Sequence, residues 1–187
     1  HISIDVNKIK ILRILNRFNV GGPIYNAAYL TKYLDNQKYE TLLIGGRCCS
    51  HEKSAEYILE DLGVEYKKLA LMQRSISPIR DVLCIFQILY IMYKYKPDII
   101  HTHAAKAGLL GRISALLFFK KKIILHTYHG NVFDGYFNNL MTRCVLFVER
   151  MLGKITSRII AISESQKNEL ISKYKICDVN KISIISE

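Results

Sequence analysis

Pro97-Asp98-Ile99-Ile100-His101-Thr102-His103-Ala104-Ala105-Lys106-Ala107-Gly108 is the stretch whose reading decides the fold. Proline followed by aspartate ends whatever helix precedes it, because the residue before proline is pushed away from helical geometry. Of the next four residues, 99–102, all but His101 are apolar or β-branched, and they read as a strand that continues without an exposed face. A short polar loop leads into a helix over 107–119, and 123–128 reads as the following strand. Two strands joined through a helix lie parallel, since a hairpin has no room for one.

The same rhythm extends outward in both directions. Upstream, strands are expected over 9–15, 41–44 and 64–69, with helices over 24–34 and 54–62 and a long apolar helix from 78 to about 96. Pro23 suits a first helical turn, where its missing N–H is not needed. Downstream come a helix over 140–154, a strand over 158–162, a helix to 174 opened by Ser163 with Gln166 three residues later, and a last strand over 182–185. The expected fold is therefore α/β and doubly wound, a mainly parallel sheet with helices on both faces. A chain of 187 residues with 50% hydrophobic content fits one such domain over residues 1–187.

Charge and cysteine usage narrow the setting. A formal charge of +11 favours anionic partners, whether nucleic acid, phospholipid or a phosphorylated small molecule. Cys48, Cys49, Cys84, Cys144 and Cys177 form an odd set without regular spacing, read as reduced thiols of a cytoplasmic protein, the last three in buried segments. No secretory signal is expected, and the apolar run within 82–93 is too short to cross a bilayer.

In a doubly wound sheet, function belongs to the loops beyond the carboxyl ends of the strands. The first, Asn16-Arg17-Phe18-Asn19-Val20-Gly21-Gly22-Pro23, brings two glycines to a helix N-terminus. That arrangement lets backbone N–H groups approach a phosphate, although it also occurs as an ordinary tight turn. The second holds His103 and Lys106 beside another helix start, whereas His101, inside the strand, reads as a core histidine. The third, from His126 through His129, Gly130 and Asp134 to Tyr136, is dense in polar groups, and His129 can donate a hydrogen bond to a sugar or phosphate. In the fourth, at Ser163-Glu164-Ser165, helix capping accounts for the serine.

Gly21-Gly22-Pro23, the run from Pro97 to His103 with Lys106-Ala107-Gly108 and Gly111-Arg112, the stretch His126-Thr127-Tyr128-His129-Gly130 with Phe133-Asp134-Gly135-Tyr136, and Ile162-Ser163-Glu164 together resemble the N-terminal domain of family 4 glycosyltransferases. The resemblance covers the chain in order. It implies the GT-B architecture: two Rossmann-like domains across a cleft, no metal, no tightly bound cofactor, and retaining transfer from a nucleotide-sugar, taken as a UDP-sugar. It further implies that Gly21 and Gly22 approach the donor diphosphate and that His129 acts beside the transferred sugar. Asn19, His103, Lys106 and Asp134 would lie on the acceptor side. On this reading the C-terminal nucleotide-sugar-binding domain is absent, and the chain alone transfers negligibly until that half is supplied by the same gene product or a partner subunit.

Two segments suit contact with an anionic membrane, making the protein peripheral on its cytoplasmic face. One is the helix 108–119 running into Lys120-Lys121-Lys122; the other is the apolar helix before Pro97, which lies either deep in the core or exposes a patch. Two other functions stay open. A metal-dependent hydrolase is suggested by His101 with His103 and His126 with His129, although no aspartate directly follows either pair. A non-enzymatic anion- or nucleic-acid-binding module is suggested by charge, although the basic residues are scattered.

Overall fold

The computed structural model describes residues 7–130 and 139–186. Seven strands form a single sheet in the order β3-β2-β1-β4-β5-β6-β7, every neighbouring pair parallel. They are β1 (Ile9–Arg17), β2 (Tyr39–Gly46), β3 (Tyr66–Leu69), β4 (Ile99–His103), β5 (Ile123–Thr127), β6 (Arg158–Ala161) and β7 (Ile182–Ile184). The helices are α1 (Gly22–Leu34), α2 (Glu56–Leu62), α3 (Pro78–Tyr95), α4 (Ala105–Leu117), α5 (Asn139–Ile155) and α6 (Glu164–Asn168). The doubly wound fold read from the sequence is the fold observed.

Alternation along the strands sorts the core onto two faces. Leu12 and Ile14 of β1 with Leu42 and Ile44 of β2 pack against Cys84, Ile88 and Met92 of α3 and Leu110 of α4. Leu15 and Leu43 point the other way, to Ile24 and Ala28 of α1 and Ile58 and Leu59 of α2. A third cluster closes the far end, where Ile159 and Ala161 of β6 meet Leu170 and Tyr174.

The differences from the expected elements have local causes. α1 begins at Gly22 and α4 at Ala105, each earlier than its apolar pattern suggests, because helix starts follow backbone geometry and not side-chain polarity. The helix expected to run from Ser163 to 174 is two pieces. α6 gives way to a π-helix over Glu169–Lys173, where the Tyr174 N–H donates to Glu169 O. Cys144, expected in a buried segment, is exposed on the outer side of α5; the five cysteines are all free thiols.

α4 lies close on the sheet because it carries glycine at two contact positions. A Cβ on Gly108 would run into the His126 ring, and one on Gly111 would stand 2.6 Å from Thr102 Cγ2. Beside them Arg112 is fully buried, its guanidinium 2.8 Å from Glu149 of α5, while Tyr128 OH donates to the same carboxylate. These contacts fasten α4, α5 and the end of β5 together. Most of α4 is enclosed, while Leu116, Leu117 and Phe119 at its end are exposed.

Candidate functional site

The order β3-β2-β1-β4 reverses direction between β1 and β4, so the crevice beyond their carboxyl ends is the topological switch point. Because all strands are parallel, the loops after β1, β4, β5 and β6 open on this one edge. Gly21 and Gly22 stand there after β1, Lys106 after β4 and His129 after β5. The sheet thus brings together the residues singled out in the sequence, apart from Asp134, which lies outside the described residues.

The β1–α1 loop is held by its neighbours. Asn19 makes an isolated antiparallel bridge with Ser54, and Arg17 pairs with Glu52 at 2.5 Å. Gly21 caps α1 with φ 163°, an extended backbone open to any residue. A Cβ there would meet only Pro23 Cδ, at 3.8 Å. Neither strain nor packing requires this glycine, which separates it from a tight-turn glycine. The first turn of α1 has no acidic side chain and no side-chain cap, so its N–H groups and positive dipole end face the edge unopposed.

The β4–α4 turn is strained. Ala104 adopts φ 66° and ψ 179°, a conformation that normally demands glycine. Asn16, at the end of β1, accepts a hydrogen bond from the Ala107 N–H and so satisfies part of the start of α4. Lys106 does not reach freely into the crevice: its ammonium lies 2.7 Å from Asp81 and donates to Ser75 O, both near the start of α3.

Beneath the edge is a file of buried imidazoles. His103 Nδ1 and His129 Nε2 share a hydrogen bond of 2.9 Å, while His101 Nε2 bonds Thr127 Oγ1 at 2.8 Å and the Arg13 Nε donates to His101 Nδ1. Arg13 is itself enclosed, with Thr31 as its other partner, and burial brings its guanidinium down to about 10. Burial first, then the charge of Arg13, hold His101 well below the ordinary histidine range. His103 is lowered likewise by burial and by His101 and Arg13. Both are neutral near pH 7. His103, expected on the acceptor side, is fully enclosed and hydrogen-bonded to His129. His126 occupies the opposite face, bonded to Thr102 Oγ1 at 2.7 Å, and so stands apart from the file of His101, His103 and His129. Among the described residues no group of three or more His, Cys, Asp or Glu is gathered to hold a metal.

Gln166 is a residue that capping logic alone undervalued. Its backbone N–H donates to Ser163 Oγ, as expected, and its Oε1 accepts from the Ile162 N–H. Its Nε2 then reaches across to Gly130 O at 2.9 Å. One amide therefore ties the β6 turn to the residue after His129, where Gly130 takes φ 70°. Arg13 and Asn16 were also missed. A charged residue inside the apolar run 9–15 was the available signal for Arg13. Asn16 stands in the sequence as the first residue of the first loop, but its partner is 91 positions away and no local pattern marks the bond.

The sequence profile of Glycosyltransferase Family 4 matches residues 20–187. The chain belongs to glycosyltransferase family 4. Among curated relatives of this family 4 chain, the UDP-Gal:alpha-D-GlcNAc-diphosphoundecaprenol alpha-1,3-galactosyltransferase of Escherichia coli is 30% identical over 152 residues, covering 81% of the chain and 38% of that protein. A glycosyltransferase from Rickettsia africae superposes with a TM-score of 0.70 at 21% identity, over 97% of the chain and 43% of its own. The Anabaena HepE protein, solved in complex with UDP and glucose, superposes at 0.69 with 14% identity, over 96% of the chain and 44% of its own. These structures share the GT-B fold with the family 4 domain. The chain spans about two fifths of the length of these relatives.

Proposed function

We propose that this family 4 domain is the acceptor-binding half of a retaining hexosyltransferase. It would act with a nucleotide-sugar, a UDP-sugar, as co-substrate and a glycan or lipid-linked acceptor, in polysaccharide assembly. The observation that carries the reading is the convergence on one edge of an unopposed helix N-terminus, at Gly21 and Gly22, with His129. As the bond between the sugar and the nucleoside diphosphate breaks, negative charge gathers on the departing phosphate, and fixed N–H donors stabilise it without reorganising. His129 is held from behind by neutral His103 and from the side by the Gln166–Gly130 bond. It is thereby positioned to donate to the sugar being moved. A second lobe, from the same polypeptide or a partner subunit, supplies the nucleotide's main grip, and without it this chain turns over negligibly. The free thiols and a soluble nucleotide-sugar fit a cytoplasmic setting.

A transfer assay tests this. The chain alone, and the chain joined to a nucleotide-binding half, are each given labelled nucleotide-sugars with glycan and lipid-extract acceptors. Product is expected only from the joined form and is lost in His129→Ala. Robust turnover by the chain alone, or an indifferent H129A, would overturn the proposal.

A further inference from the structure

α1 opens at the edge that carries the site, and its outward side carries a row of one residue type. Tyr25, Tyr29 and Tyr33 recur at steps of four, so they share one side of the helix and lead away from Gly22 over about 12 Å. Tyr33 is 73% exposed and Tyr29 45%. The Tyr29 and Tyr33 rings are parallel to within 9°, their centres 6.0 Å apart. α2 adds a fourth ring. Tyr57 is exposed there, and its hydrogen bond with the Tyr25 hydroxyl raises the Tyr25 phenol above the ordinary tyrosine range. Every large hydrophobic side chain exposed on α1 and α2 is one of these four tyrosines.

A single exposed aromatic is ordinary, whereas a row of them marks a binding surface, and the chemistry of the row selects the ligand. The face of a phenol ring is electron-rich and attracts weakly positive C–H groups, while the hydroxyl stays hydrogen-bonded at the rim. A pyranose offers the matching pair, a face of C–H bonds and a margin of hydroxyls. Nucleic acid also stacks on aromatic rings, but it needs a basic track for its phosphates. The exposed side chains of α1 supply only Lys32 for such a track, and those of α2 supply the acids Glu60 and Asp61. A protein interface gathers around a more apolar centre, and no leucine, isoleucine or valine stands exposed on either helix.

We infer that the outward face of α1, with Tyr57 of α2, is a stacking platform for an uncharged sugar chain. Its use in transfer rests on the proposed function; the binding does not. Tyr25 lies about one turn beyond Gly22, and α1 starts at the carboxyl edge of the sheet. A sugar chain whose reacting end sits at that edge therefore trails along the tyrosines. The platform holds units already joined, while His129 meets the unit being added.

The test is affinity electrophoresis of the chain, and of the chain joined to its nucleotide-binding half, through native gels containing a soluble linear β-glucan, α-glucan or galactomannan. Retardation by at least one of these polysaccharides is expected for both forms. In the double variant Tyr29→Ala with Tyr33→Ala the dissociation constant should rise at least tenfold at an unchanged melting temperature, since both rings are exposed. Tyr29→Phe with Tyr33→Phe keeps the ring faces and should stay within about threefold of the parent. His129→Ala, which addresses the transfer reading, should still bind, so transfer lost with binding retained bears on that reading and leaves the platform standing. Absence of retardation by all three polysaccharides, or equal retardation of the parent and the alanine variant, overturns the inference. So does a stable dimer that the alanine variant dissociates, because the face would then be a protein interface.

Discussion

Adding one methyl group at Gly21 separates a functional glycine from a structural one. The new Cβ meets nothing closer than Pro23 Cδ at 3.8 Å, and φ of 163° suits alanine as well as glycine. Losing a glycine stabilises through the unfolded chain by roughly 0.4–1 kcal/mol. Alanine is a poorer N-cap than glycine, by about 0.5–1 kcal/mol. The two nearly cancel, so Gly21→Ala should shift the melting temperature of a chain this size by no more than about 2 °C. Function should respond quite differently. A methyl group at the mouth of α1 keeps a diphosphate from the helix N–H groups, and a hydrogen bond to a charged group is worth about 1.5–3 kcal/mol. That corresponds to a drop in kcat/KM of roughly 10- to 150-fold in the form joined to its nucleotide-binding half. Calorimetry and the transfer assay are run on the same preparations. A fall in melting temperature beyond about 5 °C would make the glycine structural, and unchanged kinetics at unchanged stability would remove it from the donor site.

Other perturbations act on the scaffold. Gly108→Ala forces a methyl into the His126 ring and should cost about 1–3 kcal/mol, read as a lowered urea midpoint; an unchanged midpoint would mean that α4 is free to move away. Glu149→Gln leaves the fully buried Arg112 without its counter-charge and should cost about 3–5 kcal/mol by the same measurement, with less than 1 kcal/mol contradicting the pairing. The chain should also be acid-labile. His101, His103 and His126 are each lowered by burial, so the unfolded chain binds protons near pH 6.5 that the folded chain refuses. Stability is then full above that pH and is lost as pH falls through it, by at most about 4 kcal/mol between pH 7.5 and 5.5 for three such groups. Urea titrations at the two pH values check this, and a midpoint independent of pH would contradict it.

The fold was legible because most strands are built on short apolar runs, interrupted at residues such as Arg13 and Lys67, and the helices between them have their own period, so alternation implies a parallel sheet. The candidate edge was legible for the same reason, since parallel strands send all their following loops one way. Side-chain partnerships were not. The bond between His103 and His129 depends on the register that sets His103 beside Thr127, which no local pattern encodes. Lys106 reads as an available cation until Asp81, 25 residues earlier, is brought to it by the packing of α3 on α4. Helix faces were ambiguous too. α3 and α4 are both apolar nearly all round, and only the position of the sheet shows that α4 is enclosed while α3 presents a second stripe outward.

The most direct measurement is a structure of the full-length polypeptide, or of this domain joined to its nucleotide-binding half, with a nucleoside diphosphate and donor sugar bound. The account predicts phosphate oxygens within about 3 Å of the N–H groups at Gly21 or Gly22, with the His129 ring in hydrogen-bonding reach of the sugar. A diphosphate seated away from the carboxyl edge of β1, β4 and β5 would contradict it.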